Sequence, residues 1–187
     1  MPPTQSITRE AVLEAGLELV RIEGFDALSA RRLARAMGCS TQPIYSACGS
    51  MKDLQEAIEG RIKQYVVDRL VREPQSNRPA YLQFGLAMLR LAKEEPHLYV
   101  RAGAFMRTQL ERDPPPPVLA AMQMDPRLGG LPLATVQRVH SSLFLVSQGL
   151  ASLLGPGGPP KALMTAEGYL EEIGEAIIEH ATRQGGR

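Results

Sequence analysis

The sequence contains no tryptophan, and aromatic residues fill only 5% of its 187 positions. Sheet proteins draw on aromatic and β-branched side chains for their pleated faces. Their scarcity, beside abundant Ala, Leu, Met, Glu and Arg, favours helix. Cysteine is almost absent as well, with Cys39 and Cys48 the two examples. On one continuous helix nine steps of about 1.5 Å set them roughly 13 Å apart, beyond disulfide reach. Both read as small packing residues, reduced in a cytoplasmic setting.

Long hydrophobic runs are also missing. No stretch approaches the roughly 20 apolar residues that span a bilayer, and the opening "MPPTQSITRE" lacks the apolar core of a signal peptide. The expectation is a cytoplasmic protein with no membrane partner. A hydrophobic content of 44% is that of a folded chain. Net charge is nearly absent at +1, so any affinity for nucleic acid has to be local.

Catalytic patterns are lacking too. There is no G-x-S-x-G elbow, phosphate loop, dinucleotide fingerprint, H-E-x-x-H or C-x-x-C. His97, His140 and His180 stand far apart without ligand spacing, and each reads as a surface or internally satisfied histidine. Adjacent acids such as Glu94 with Glu95, or Glu171 with Glu172, diverge on a helix. The expectation is no enzyme, no catalytic residue, no metal and no cofactor.

What the chain does hold is helical periodicity. Leu13, Gly16, Leu17 and Val20 share one face of a helix over 7–23, with Thr8 as its cap and Gly24 as its stop. Ser29 caps a second helix through Met37, a third begins at Ser40, and a fourth runs from near Ser50 through Leu70. The break "PQSNRP" at 74–79 precedes helices at about 80–95, 97–111, 118–124, 133–154 and 162–183, punctuated by "PPPP", "DPRLGGLP" and "GPGGPP". No stretch alternates with period two. The fold class is all-α: an N-terminal three-helix, helix-turn-helix domain over 6–66 and a C-terminal helical bundle over 67–187, about nine helices in total.

Residues 30 to 49 fit helix-turn-helix packing. Ala34 supplies a small residue where two short helices cross, and Gly38 adopts the positive dihedral of a tight turn cheaply. Leu33, Met37, Ile44, Ala47 and Cys48 then point inward. Thr41, Gln42, Tyr45 and Ser46 are left outside, as on a helix that reads a major groove. Between Asp26 and Asp53 no acid occurs, while Arg31, Arg32, Arg35 and Lys52 fall inside that span. Such segregation suits contact with phosphates, and helix N-termini at Ser29, Ser40 and Ser50 add backbone N–H groups. Pro43 lies in the same first turn.

The stretch "ITREAVLEAGLELVRIEGFDALSARRLARAMGCSTQPIYSACGSMKDLQEAI" resembles the DNA-binding domain of TetR-type (tetracycline-repressor-like) transcriptional regulators. The resemblance implies an all-α homodimeric regulator, usually a repressor, released from its operator by a small ligand held in the C-terminal domain. It assigns phosphate contact to Tyr45, groove contact to Thr41, Gln42 and Ser46, and the start of helix two to Ser29 and Arg31. The chain departs from the family's pattern at Cys48, where phenylalanine is usual, and at Pro43, where a phosphate-bonding threonine is common. It departs again at Met51, where lysine is frequent and Lys52 follows one step on.

In the second half, Val136, Val139, Leu143, Val146, Leu150 and Leu153 step by three and four, as do Leu163, Ala166, Leu170, Ile173 and Ile177. The two seams form an antiparallel hairpin. Phe144, Leu145 and Ile178 widen them to a second side, which either packs within the chain or meets a second copy. The dimer reading takes Val139, Leu143, Val146, Leu150, Leu170, Ile173 and Ile177 as interface. Tyr81, Phe84, Met88, Tyr99, Phe105 and Met106, with Met122 and Met124, either fill the core or line a pocket for a small apolar or amphipathic effector. Three functions stay open on this reading: an effector-released repressor acting on double-stranded DNA, a helix-turn-helix regulator without effector, and a helical binding protein or enzyme that kept the fold.

Overall fold

The structure is a computed structural model describing residues 7–72, 78–108, 116–155 and 159–185. Among the described residues there are nine α-helices, one 3-10 turn and no strand. The helices are α1 (Arg9–Glu23), α2 (Ala30–Ala36), α3 (Thr41–Cys48), α4 (Met51–Arg72), α5 (Ala80–Glu94), α6 (Pro96–Thr108), α7 (Pro116–Gln123), α8 (Leu133–Ser152) and α9 (Pro160–Gly185). Wherever an end is described, it falls within two residues of its expected place. Most of the "PQSNRP" break, part of "PPPP", part of "GPGGPP" and the expected end of the helix at 111 lie outside the described residues. No helix among the described residues is long and apolar enough to cross a membrane.

The chain divides into two compact units. The first takes the chain up to Val66 together with His97–Ala102, and the second takes Val67–Pro96 and the chain from Gly103 onward. The short segment from α6 that joins the first unit was not visible as part of it in the sequence.

In the first unit, Thr8 caps α1 by accepting from the Ala11 N–H at 3.2 Å, which satisfies one of the orphan donors of a helix start. The face Val12, Leu13, Gly16, Leu19 and Val20 is buried. Gly16 is there for closeness: a Cβ at that position would overlap the Ile58 side chain of α4. On α4 the fourfold spacing of Leu54, Ile58 and Ile62 aims one stripe at the core, each residue no more than 1% exposed. Each such burial stabilises by about 1.5–3 kcal/mol. Arg101 lies over the Phe25 ring at 3.6 Å from its centroid and pairs with Glu59.

In the second unit α5 is buried on several sides, with Leu82, Leu86, Ala87, Met88, Leu89, Leu91 and Ala92 at 3% exposure or less. A helix apolar nearly all round belongs in the middle of its bundle. It packs on both α8 and α9. Gly85 lets Ser147 and Leu170 approach, and Gly174 on α9 does the same for Leu82 and Leu143. The buried Ser147 hydroxyl donates to the Leu143 carbonyl at 2.7 Å, so it costs the core little.

Candidate nucleic-acid interface

The helix-turn-helix segment is assembled by local rules. Ser29 caps α2, accepting from the Arg32 N–H at 3.4 Å. The helix stops where Gly38 takes φ +65, and the next N–H, of Cys39, returns to the Ala34 carbonyl at 2.9 Å. A Cβ on Gly38 would meet nothing within 4 Å, so the backbone dihedral alone calls for glycine. Ala34 is 4% exposed, and α2 packs on α3.

Helix α3 has two unlike faces. Ile44 and Cys48, one turn apart, are 1% and 8% exposed, and α3 packs against α1. Met37 and Ala47, expected inside, are half-buried. Burial pushes the Cys48 thiol above its ordinary value, and both cysteines are free. On the other face Gln42, Tyr45 and Ser46 are exposed, with Tyr45 at 44%, while Thr41 and Pro43 are half-buried beside them. Pro43 sits in the first turn, where its missing N–H leaves no helix bond broken. Ser40 is exposed and its side chain makes no capping bond, so the first N–H groups of α3 carry no side-chain cap.

The charges around this face are not all available. Arg32 pairs with Glu23, and Lys52 lies 3.8 Å from Glu56. The exposed Arg31 and Arg35 make no ion pair among the described residues. The N-terminus of α4 corrects an expectation. Asp53 Oδ2 accepts from the Ser50 N–H at 2.9 Å and from its hydroxyl at 2.7 Å. Those bonds from Ser50, first the hydroxyl and then the amide, hold the Asp53 carboxyl below the usual range. This helix start already carries an anion, its own, and offers less to a phosphate than the start of α3.

The second unit redistributes the remaining expectations. Val139, Leu143 and Leu170 are 3%, 4% and 0% exposed; they fill the chain's own core and present nothing to a second copy. Val146, Leu150 and Ile177 are half-buried and Ile173 is exposed. The apolar side chains most exposed on and just after α8 and on α9 are Leu153 (80%), Met164 (73%), Leu145 (54%) and Tyr169 (54%). Periodicity identified an apolar hairpin, and three of the seven residues it offered to a partner lie in the chain's own core.

Of the six residues expected around an effector, Phe84, Phe105 and Met106 line one cavity of about 40 Å³. Met88 is fully buried core, and Tyr99 belongs to the first unit, where burial pushes its phenol up to about 12. Tyr81 is committed elsewhere. Its hydroxyl donates to Glu175, which also accepts from Arg127 Nη1 at 2.8 Å, and the Arg127 guanidinium lies 5.0 Å from the Tyr81 ring centroid. Burial, then the Glu175 contact, pushes the Tyr81 phenol up to about 12.

The remaining cavity wall comprises Val67 and Leu70 of α4 with His140 and Phe144 of α8. His140 is 8% exposed, and its Nε2 is shielded from solvent without a hydrogen-bond partner among the described residues. This corrects the expectation of a surface or satisfied histidine. The signal was in the sequence: a single imidazole at helical spacing within the apolar stripe of Val136, Val139, Leu143 and Phe144. Its ring lies 5.6 Å from Phe84 and stacks on Phe144 at 6.4 Å.

No family model and no curated protein matches the chain. Among solved structures it is similar to the TetR family repressor AlkX from Dietzia sp. strain DQ12-45-1b, whose title describes it as implicated in biodegradation of n-alkanes. The two are 18% identical, the match covers 91% of this chain and 95% of that one, and the TM-score is 0.42. At that score the superposition is loose, and the functional weight stays on the residues themselves.

Proposed function

We propose that this protein is a sequence-specific DNA-binding transcriptional regulator, a homodimeric repressor released by a small ligand. The observation that carries the reading is α3. One of its faces is anchored by Ile44 and Cys48, and the other presents Gln42, Tyr45 and Ser46 free of acids, with Arg31 and Arg35 of the preceding helix making no ion pair among the described residues. Short hydrogen-bonding side chains serve base edges, and the flanking cations and the uncapped start of α3 serve phosphates. Ser29 caps α2 and Pro43 fits the first turn of α3, so both shape the local backbone, while Ser40 and Thr41 border the exposed face and Lys52 contributes charge at the rim. The N-terminal unit is the DNA-binding domain and the C-terminal unit the ligand-binding and dimerisation domain.

One short helix gives little affinity, and a dimer supplies two, reading half-sites about 34 Å apart. The partner copy meets the outer face of α8 and α9 through Leu145, Val146, Leu150, Tyr169, Ile173 and Ile177. The ligand lowers operator affinity by as much as it prefers the released arrangement.

The test is binding to the duplex upstream of the protein's own gene across a salt series. The expected result is a steep fall in affinity with salt and a preference over random duplex. Equal affinity for any duplex, or a flat salt dependence, defeats the reading. The small cavity favours a second reading, a regulator with no small ligand. A melting temperature unmoved by any small apolar compound supports it over the first.

A further inference from the structure

The cavity in the second unit combines features rarely found together. Phe84, Phe105 and Phe144, three of the four phenylalanines in the chain, line it. Among the described residues no Asp, Glu, Lys or Arg takes part in its wall. One polar atom there, His140 Nε2, is shielded from water and has no partner among the described residues. A buried polar atom without a partner is costly, and few persist in a native core without a reason.

From this wall we infer that the cavity binds a monocyclic, uncharged phenol, ring against the phenylalanines and hydroxyl on His140 Nε2. The inference rests on the regulatory reading above and specifies the ligand of that same unit. Each part of the ligand follows from a part of the wall. Aromatic side chains at 5.6 and 6.4 Å spacing favour a ring in offset or tilted contact. A carboxylate or an ammonium would be buried with no opposite charge beside it among the described residues, which costs far more than one hydrogen bond returns. A hydroxyl both donates and accepts, so it satisfies Nε2 in either tautomer of a neutral imidazole. Burial holds the imidazole neutral by pushing its pKa below the ordinary 6.5.

Size narrows the class further. At about 40 Å³ the cavity is smaller than the ~150 Å³ apolar cavity that accepts benzene in another protein. Entry of even a single ring requires the wall to give way, most readily at the unbranched, adaptable Met106, and two fused rings would require more.

The experiment uses the full chain and three probes of matched shape: 4-methylphenol, p-xylene and 4-methylbenzoate, followed by calorimetry and thermal shift. The expected result is that 4-methylphenol raises the melting temperature with concentration and binds about tenfold more tightly than p-xylene, while 4-methylbenzoate has no effect. His140→Phe is expected to keep p-xylene binding and lose the preference for the hydroxyl; His140→Leu provides the same reading if the larger ring crowds the site. Binding of the benzoate as tight as that of the phenol overturns the proposal. So does equal binding of phenol and xylene, a hydroxyl preference that survives in both variants, or no binding of any probe. Duplex binding measured on the same preparation separates the two readings. Salt-dependent duplex binding without probe binding sinks only the ligand class. Hydroxyl-dependent probe binding without duplex binding sinks the regulator and leaves the cavity assignment standing.

Discussion

Helix α3 and helix α8 each carry polar side chains beside an apolar stripe, yet they pose opposite problems. The polar atoms of Gln42, Tyr45 and Ser46 face solvent, where water satisfies them until something better displaces it. The Nε2 of His140 is shielded from water, its ring lies against phenylalanine rings, and it has no partner among the described residues. An exposed unsatisfied group is inexpensive and suits a large, solvated partner such as DNA. A buried one is expensive and suits a small partner that brings a single matching group. The first unit closes its helix starts locally, through the Thr8, Ser29 and Ser50–Asp53 caps. The second unit satisfies the buried Ser147 hydroxyl locally on the Leu143 carbonyl and ties Tyr81 to the distant Glu175.

The contrast breaks most visibly where packing is tightest. Gly85→Leu forces a side chain into the space of Ser147 and Leu170 and is expected to destabilise the protein by about 3 kcal/mol, read from urea unfolding. A loss below 1 kcal/mol means that α5 does not sit as closely on α8 and α9 as described. Next in size is Tyr45→Ala combined with Gln42→Ala. Both side chains are exposed, so stability should stay within ~0.5 kcal/mol while affinity for the specific duplex drops by about 2–4 kcal/mol. An equal loss on random duplex would make these residues backbone contacts only. Arg31→Ala should weaken all duplexes alike and reduce the salt slope by about one.

Gly38→Ala sharpens the comparison at the turn. With open space around the site and φ at +65, it is expected to cost about 1 kcal/mol, and Gly38→Asn, which tolerates this dihedral, should cost less. The subtlest test uses pH on His140. Its folded pKa lies below the ordinary 6.5, so the unfolded chain binds a proton that the folded chain refuses. This cost is absent above about pH 6.5 and grows as pH falls from there toward the folded pKa. The urea midpoint should therefore decline between pH 7.5 and pH 5 more in the natural protein than in His140→Phe. Parallel pH curves for the two would mean that the imidazole is not sequestered.

Legibility followed distance along the chain. The caps at Thr8 and Ser29, the turn at Gly38, and the inward Ile44 and Cys48 opposite the outward Gln42 and Tyr45 all depend on neighbours within about one turn of helix. Periodicity and turn chemistry govern that range. The readings that failed concern choices between faces or partners. Val139, Leu143 and Leu170 repeat with the right period, but a helix apolar on two sides carries no mark of which side its own chain takes. Arg32 looked available for phosphate until Glu23 came within reach, and the start of α4 looked open until Asp53 closed it.

By itself, then, the sequence determined the helices, their stops and the polar surface of α3, because each follows from backbone dihedrals, capping groups and spacings that act over a few residues. The tertiary structure alone decided that α5 lies in the middle of its unit, that Tyr81 is bound to Glu175, and that His140 is sealed among phenylalanines. Those outcomes depend on which side chains exclude water from one another across tens of residues of chain, and no local pattern encodes that competition.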